Sequence, residues 1–431
     1  MNIHFVSLGC SKNQVDSERV MGLLKTNGHT IVASPNQAEA IFVNTCGFIT
    51  PAKQESISTI LEMADYKQHK AKKLIVIGCL AQRYKADLEQ ELHEVDRFIG
   101  VSEYHRLSEI LTETLGTEIL GTYGKMERLI PKTAHSAYLK VSEGCSNRCT
   151  YCAIPLIRGN MASYPVEELV EEAQRLAATG IKELVLIAQD TSRYGEDQGE
   201  NRLGELLTKL NTIDGLTWIR LLYQYPNAVT PQLLNTMKAC SKVVPYFDIP
   251  IQHADDTLLK RMNRKGTVED MRQVITNIRS VFPTATLRTT LIVGFPGETR
   301  AQFESLLAFI QEVRFDHLGA FVYSPEEDTP AFSMDETVSE TEKQERLLQV
   351  FDAQAVIAAE KKSAMVGSIQ TVLIDDLNIK KKQITGRCAF QAPDQVDGEV
   401  ILPLSSSIRP GDFIQVRITG HDNYDLFGEP L

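Results

Sequence analysis

The chain has 431 residues and the composition of a soluble globular protein, with 43% hydrophobic and 23% charged residues, and this length predicts two or three domains. No apolar run reaches the roughly 18–20 residues needed to span a bilayer, and the N-terminus lacks the basic and apolar regions of a leader peptide, so we expect a cytoplasmic protein without membrane contact. The net charge of −11 argues against long phosphate tracts as the main partner, since nucleic-acid binding depends on Lys and Arg, and it suits a cationic protein.

Residues 1–115 alternate between strand-like apolar runs and helical periods. The helical periods include residues 14–26 and 53–65, and the strand-like runs are residues 3–8, 40–44, 74–77 and 97–101. Alternation of this kind predicts an α/β domain with a doubly wound sheet of parallel strands.

Three of the eight cysteines hold equivalent places in this predicted sheet. Cys10, Cys46 and Cys79 each come just after a strand. The carboxyl ends of parallel strands line one crevice, which is where open α/β sheets bind ligands. A lone cysteine is most often a packing residue, and a reducing cytoplasm disfavours disulfides. Three cysteines at one sheet edge therefore favour a shared metal or cluster site.

A second, longer alternation follows a linker near residues 123–132. Its strands are residues 137–141, 183–188, 218–223, 247–251, 287–293 and 317–323, with amphipathic segments such as 166–179 and 268–282 between them. Six β/α units predict an open, partial (β/α)6 barrel whose chemistry lies at the C-terminal ends of the strands. A long polar helix at residues 339–362 closes this region.

The strongest motif is "EGCSNRCTYCAIP", in the loop after the first barrel strand. It places Cys145, Cys149 and Cys152 in a CxxxCxxC spacing. Three thiolates on one loop can hold three irons of a cubane and leave the fourth iron open. Zinc is the weaker alternative, because it normally takes a fourth protein ligand and more often uses CxxC pairs. Cys240 and Cys388 have no such partners and are predicted to be packing residues.

The tail changes character after residue 363. Short strands at residues 369–374, 400–403 and 413–418, separated by Gly, Pro and Asp turns, predict a small antiparallel β-barrel. Residues 366–431 contain six Lys or Arg and nine Asp or Glu, whereas a module that grips RNA should be basic.

Around the triplet the chain resembles the radical S-adenosylmethionine superfamily, with Tyr151 as the aromatic residue before the last cysteine. The resemblance implies a 4Fe-4S cluster whose open iron binds S-adenosylmethionine, and a reduction that cleaves this cofactor to a 5′-deoxyadenosyl radical. It also implies cofactor-binding residues after later strands, namely Gln189 after the second strand and Gly294, Gly297 and Glu298 in "GFPGE" after the fifth. A plain tight turn is the alternative for the two glycines.

Two three-cysteine sets on an α/β domain, a partial barrel and a small β-barrel resemble the methylthiotransferase family over essentially the whole chain. The resemblance implies a methylthiotransferase N-terminal domain at 1–117, a radical core at 131–362 and a TRAM domain at 363–431. It also implies two 4Fe-4S clusters, of which the auxiliary one, on Cys10, Cys46 and Cys79, binds the sulfur to be transferred. Two S-adenosylmethionine molecules would serve a monomeric enzyme as methyl donor and radical source, with electrons from a separate electron donor.

Several segments are similar to one branch of that family, which modifies an aspartate of small-subunit ribosomal protein S12. They are "VSLGCSKNQVDSE", "IAQDTSRYG", "IPIQHADDTLLKRMNR", "FVYSPEEDTPA" and "YDLFGEPL". The similarity implies methylthiolation of the aspartate β-carbon, in free S12 or in the ribosomal subunit. The main alternative is a transfer-RNA adenosine methylthiotransferase, which the acidic tail disfavours. An iron–sulfur electron carrier and an RNA-binding adaptor are weaker alternatives.

Four charged residues on the barrel are candidate substrate contacts. Arg220 and Arg288 could hold the substrate carboxylate by bidentate pairing, with internal salt bridges as an equal alternative. Glu326 and Glu327, after the sixth strand, are predicted to receive a basic loop of the ribosomal protein, with a solvated turn as the alternative.

Overall fold

The computed structural model describes residues 1–68, 73–125, 127–335 and 337–431. Its first part consists of β1 (Asn2–Ser7), α1 (Ser11–Thr26), β2 (Thr30–Ile31), β3 (Ala40–Thr45), α2 (Thr50–Asp65), β4 (Lys73–Gly78), α3 (Cys79–Glu91), β5 (Arg97–Gly100) and α4 (Leu107–Leu115). The strands form one parallel sheet in the order β2-β1-β3-β4-β5. Helices α1 and α4 cover one face and α2 and α3 the other. The predicted doubly wound sheet is confirmed.

The burial of the inner strands explains why this sheet is parallel. All of β3 is buried, and β4 is buried from its second residue onward. Apolar runs buried on both faces are typical of strands between two helix layers. Since each parallel connection returns through a helix, the carboxyl ends of β1, β3 and β4 lie at the same sheet edge.

The central part contains six parallel strands and one short antiparallel pair. Its elements are β6 (Ser136–Lys140), β7 (Ser142–Glu143), α5 (Ile154–Arg158), β8 (Ala162–Ser163), α6 (Val166–Ala178), β9 (Glu183–Ile187), α7 (Leu203–Asn211), β10 (Trp218–Leu221), α8 (Pro231–Ala239), β11 (Tyr246–Asp248), α9 (Asp256–Arg261), α10 (Val268–Val281), β12 (Thr286–Val293), α11 (Arg300–Val313) and β13 (His317–Val322). The strands form two groups, β10-β9-β6 and β11-β12-β13, and a parallel bridge between Ile219 and Val243 joins them. Their outer side packs on the surrounding helices in one apolar core. This is the predicted partial barrel.

A long helix leads into the closed barrel at the end of the chain. The elements are α12 (Glu340–Met365), β14 (Ile369–Asn378), β15 (Gln383–Cys388), β16 (Val400–Pro403), β17 (Phe413–His421) and β18 (Leu426–Pro430). Neighbouring strands run antiparallel except β16 and β18, which are parallel. A closed ring with an odd number of strands cannot alternate direction throughout, so the purely antiparallel expectation fails at this one pair.

The terminal barrel packs against the amino ends of the central strands. Arg387 of β15 pairs with Glu183, the first residue of β9, at 2.7 Å, and Arg220 pairs with the same carboxylate at 2.9 Å. Arg220 also donates to the carbonyl of Ala389 at 2.7 Å. Burial opposes ionisation of Glu183, but the two guanidiniums outweigh it and lower its pKa to about 2.

A second set of polar contacts fixes the same interface. Arg288 pairs with Asp397 of the terminal barrel at 2.6 Å and lies 3.5 Å from Asp248. Both arginines considered as substrate contacts, Arg220 and Arg288, are therefore in internal salt bridges. The hypothesis that they hold the substrate carboxylate is wrong, because the tail occupies that end of the barrel.

Replacing Tyr246 with Phe should weaken the attachment of the tail. The Tyr246 hydroxyl donates to the buried Asp397 carboxylate at 2.6 Å, and losing a hydrogen bond to a charged group costs about 2 kcal/mol of unfolding free energy. Chemical denaturation measures this loss. Tyr424→Phe is the matched control, because that side chain is 75% exposed, and an equal effect of both changes would contradict the proposed contact.

Cys240 and Cys388 are 4% and 1% exposed, as predicted for packing residues. Within the described part of the chain, no helix is long and apolar enough to cross a membrane.

Candidate functional site

The first cysteine set lies where the sheet topology places it. Cys10 follows β1, Cys46 follows β3, and Cys79 begins α3 directly after β4. These three strands are adjacent in the sheet, and the β1–β3 boundary is where the strand order reverses, the position at which such sheets bind ligands. Burial is the main cause that raises the pKa of Cys46 and Cys79, and the thiols are close enough that negative charge on Cys10 adds to the effect.

Glycines beside these cysteines let the backbone turn closely around the crevice. Gly9 has a φ of +87°, and a Cβ there would lie 3.0 Å from the Cys46 Cβ. Gly78 has a φ of +102°, and its Cβ would lie 2.2 Å from the Asn44 side-chain oxygen. Only glycine adopts these conformations without strain or clash. The crevice therefore brings backbone and thiols close together, as a bulky cluster would require.

The thiols of this set have different electrostatic environments. Desolvation opposes ionisation of Cys10, but the Lys12 and Arg158 cations lower its pKa below the usual value. Burial raises the pKa of Cys79 to about 12, although Arg158 opposes the effect. A thiol that remains protonated when free loses its proton on binding metal.

The second cysteine set lies on a loop held at both ends. The Cys145 amide donates to the Gly159 carbonyl at 3.1 Å, and the Cys152 amide donates to the Cys149 carbonyl at 3.1 Å. Asn147, between two of the cysteines, donates to Asp190 at 2.7 Å and so ties the loop to the end of β9. Burial raises the pKa of Cys152 to about 12.

Tyr151 lies beneath this loop. It packs against an apolar cluster that contains Leu258 and Phe295, and burial raises its pKa well above the usual value. The side chain therefore supports the loop between Cys149 and Cys152 from the barrel side.

No three described Cys, His, Asp or Glu side chains converge as they would around a single metal ion. A four-iron cluster is a wider group, and its thiolates bind separate irons. The donor set of two soft thiolate triads fits iron–sulfur ligation.

Arg158 links the two cysteine sets. It ends α5, shortly after Cys152, and donates to the Cys79 sulfur at 3.3 Å and to the Asn13 side-chain oxygen at 2.6 Å. Its other nitrogen pairs with Asp16 at 3.0 Å and with Glu143 at 2.8 Å.

The wall between the two sets is buried and tightly paired. Lys140, at the end of β6, is fully buried and binds both Asp16 and Glu143. Cys79 also packs against Ala153 and Ile157 of the segment that follows the triplet. The fold thus places the two cysteine sets at one interface. Sequence analysis missed Arg158, because its partners Asp16, Asn13 and Cys79 are far away along the chain.

Buried polar atoms without partners mark the ends of three central strands. Gln189, after β9, donates to Glu143 at 3.3 Å, but its side-chain oxygen has no partner among the described residues. The same holds for both amide atoms of Gln224, which is 1% exposed, and for both ring nitrogens of the fully buried His253. Such atoms are rare in native interiors and are satisfied when a polar ligand binds. These positions fit a polar cofactor such as S-adenosylmethionine.

The predicted loop after β12 is a tight turn with a carboxylate at its centre. Glu298 accepts from the amides of Gly294 and Phe295 at 2.5 and 3.2 Å and pairs with Arg346 at 2.8 Å. Gly294 and Gly297 have φ of +71° and +82°, as the turn alternative required. Glu298 therefore shapes this turn, and contact of the three residues with a cofactor stays a prediction.

The two glutamates after β13 contact the first sheet domain. Glu326 is 2% exposed and pairs with Lys53 of α2 at 3.0 Å and with Arg83 of α3 at 2.9 Å. Glu327 accepts from the Tyr84 hydroxyl at 2.8 Å. The prediction that Glu326 receives a basic loop of a partner is wrong, because its buried carboxylate pairs with two cations of the same chain. Burial also excludes a solvated turn at Glu326. Glu327 is exposed, in agreement with the solvated-turn alternative.

Glu326→Gln should therefore reduce stability. The change removes the charge that holds Lys53 and Arg83, and we expect a loss of about 2 kcal/mol in unfolding free energy. Glu327→Gln, at an exposed site, should cost less than about 1 kcal/mol. Equal losses in chemical denaturation would contradict the assigned pairing.

Three parts of the chain match known families. They are the Uncharacterized protein family UPF0004 at residues 2–100, the Radical SAM superfamily at residues 139–310 and the TRAM domain at residues 366–431. Among solved structures, the radical S-adenosylmethionine methyltransferase TsrM from Kitasatospora setae has a similar fold, with a TM-score of 0.57 and 12% identity over 86% of this chain and 77% of that chain. The radical enzyme OxsB is similar at a TM-score of 0.53 and 12% identity, over 84% of this chain and 56% of that chain. Fold and matched regions together define a radical S-adenosylmethionine protein.

Full-length relatives narrow this class further. The ribosomal protein uS12 methylthiotransferase RimO of Alkaliphilus oremlandii is 45% identical over 100% of this chain and 99% of the relative. The protein of the same name from Caldicellulosiruptor saccharolyticus is 44% identical over 100% of both chains. The chain belongs to the RimO family of ribosomal protein uS12 methylthiotransferases.

Proposed function

We propose that this enzyme methylthiolates the β-carbon of a specific aspartate in ribosomal protein uS12. The observation that carries the proposal is the single interface that holds both cysteine sets, with Arg158 contacting Cys79 from the helix that follows the triplet. A radical enzyme with one cluster has no use for a second thiolate triad at that place.

The six cysteines divide between two 4Fe-4S clusters. Cys145, Cys149 and Cys152 hold the cluster that binds S-adenosylmethionine, and the auxiliary cluster is held by Cys10, Cys46 and Cys79. When bound, these groups and two S-adenosylmethionine molecules supply the electron, the radical, the methyl group and the sulfur. Electrons come from a separate electron donor.

Residues of the chain itself bind the cofactor, orient it and enclose it. Gln189, Gln224 and His253 offer hydrogen-bonding atoms to the cofactor at the carboxyl ends of the strands. The turn at residues 294–297 lets the backbone approach it closely, and Tyr151 supports the triplet loop.

The three parts of the chain have separate tasks in this proposal. Residues 1–117 present the auxiliary cluster, residues 131–362 generate the radical, and residues 363–431 close the amino end of the barrel. Because the tail contacts that end, uS12 must approach from the carboxyl ends of the strands. The enzyme acts as a monomer in the cytoplasm, where uS12 is made and assembled.

The decisive experiment offers two substrates to the reduced, cluster-loaded enzyme. Mass measurement should show uS12 heavier by one methylthio group in place of hydrogen, and transfer RNA unchanged. Modification of transfer RNA alone would favour the other branch of the family. An acidic terminal barrel, with six Lys or Arg against nine Asp or Glu, supports the protein substrate.

A further inference from the structure

Lys12 is a buried cation without a carboxylate partner. It lies in the first turn of α1, is 7% exposed and places its ammonium 3.2 Å from the centroid of the Tyr223 ring. In the described ranges of the chain, no Asp or Glu forms an ion pair with it. A buried lysine is normally paired, since an isolated charge is costly to bury.

Buried cations next to Lys12 on the same interface are paired with carboxylates. Arg158 and Lys140 share Asp16 and Glu143, and Arg19 pairs with Glu172 at 3.0 Å. Among the described residues Arg264 also lacks a carboxylate, but it donates to the Pro250 carbonyl at 2.5 Å, whereas the recorded contact of the Lys12 ammonium is the Tyr223 ring. Lys12 lies beside Cys10, at the mouth of the barrel.

Tyr223 forms a fixed platform for this ammonium. It follows β10 in a left-handed conformation, with a φ of +60°, which costs energy for a bulky residue and is most common at functional sites. Its amide donates to Asp248 at 2.9 Å, and its carbonyl accepts from the Thr191 amide at 2.9 Å. Both ends of the residue are therefore held.

The contact with the Tyr223 ring leaves the N–H donors of the Lys12 ammonium available for hydrogen bonds. An ammonium has three donors, and a cation above an aromatic face is held by the ring quadrupole without using a hydrogen-bond acceptor. An incoming carboxylate could bind these donors and supply the missing counter-charge. Asp248 forms no ion pair with Lys12; it accepts from the Tyr223 amide at 2.9 Å and lies 3.5 Å from Arg288.

We propose that Lys12 binds the side-chain carboxylate of the substrate aspartate, with Tyr223 holding the ammonium in place. The inference rests on the proposed function, which supplies the aspartate. It gives Lys12 the role that Arg220 and Arg288 cannot have. A carboxylate bound here lies beside Cys10, next to the sheet-edge cysteines.

The test crosses two substrates with two enzymes. Wild-type and Lys12→Met enzymes are each measured for binding and turnover with uS12 and with uS12 whose target aspartate is changed to asparagine. Wild-type enzyme should prefer the aspartate form, and Lys12→Met should lose about 100-fold in affinity for it, as expected for a buried charge pair that loses one partner. Affinity for the asparagine form should stay the same, so the preference should disappear.

Controls separate this role from support of the cluster. Iron content and reductive cleavage of S-adenosylmethionine should be unchanged in Lys12→Met, and Lys12→Arg should recover part of the preference. Lys25→Met, an exposed change on the same helix, should match wild type. Equal losses for both substrates, or loss of iron, would overturn the proposal. Failure of the proposed function is a different result, because wild-type enzyme would then not modify uS12 at all.

Discussion

Replacing Cys10 with Ala is expected to abolish methylthio transfer while leaving reductive cleavage of S-adenosylmethionine intact. Cys10 belongs to the sheet-edge set, whereas the triplet lies on a separate loop held by Gly159 and Asp190. The Cys10 residue is exposed in the crevice, so the change removes little packing. Its loss should therefore affect the auxiliary cluster and leave the other cluster in place.

Measuring two reaction products tests the two parts of this prediction separately. Release of 5′-deoxyadenosine measures cleavage of the cofactor, and the mass of uS12 measures transfer. Cys240→Ala is the matched control, since that buried cysteine lies outside both sets and should keep both activities. Transfer by the Cys10→Ala enzyme, or loss of cleavage, would show that the division of the cysteines is mistaken.

Arg158→Met should give the largest loss of stability of any single change at the interface. The guanidinium is buried and pairs with Asp16 at 3.0 Å and Glu143 at 2.8 Å, while also contacting Asn13 and Cys79. Removing it leaves two carboxylates to share Lys140 alone. Breaking a buried pair of this kind costs about 3–5 kcal/mol.

Chemical denaturation of the cluster-free protein measures this effect without interference from iron. Arg158→Lys should recover part of the loss, because the charge remains while the forked geometry does not. Arg202→Met serves as the exposed control: that arginine pairs with Glu205 at the surface at 2.8 Å, and its loss should cost less than about 1 kcal/mol. A similar small loss for Arg158→Met would refute its assigned role.

Local sequence patterns predicted the sheets well because their causes are local. The run "AIFVNT" begins with four apolar residues and is buried along its whole length, which is typical of strands between two helix layers. Parallel direction then fixed the edge at which Cys10, Cys46 and Cys79 lie. The parallel pair β16–β18 was missed, because it follows from closing the ring and not from any one strand.

Contacts between distant segments could not be predicted in this way. Arg220 and Arg288 were candidate substrate contacts, because no local pattern shows that the tail packs against the amino ends of the strands. Glu326 likewise pairs with Lys53 and Arg83, which precede it by most of the chain. The position of the two cysteine sets at one interface also depends on contacts between distant segments. It results from the packing of α1 against β6.

Iron and sulfide content per chain tests the central claim most directly. Protein purified or reconstituted without oxygen should contain about eight irons and about eight sulfides, as two four-iron clusters require. A value of about four irons in fully active enzyme would contradict the assignment of a second cluster to Cys10, Cys46 and Cys79.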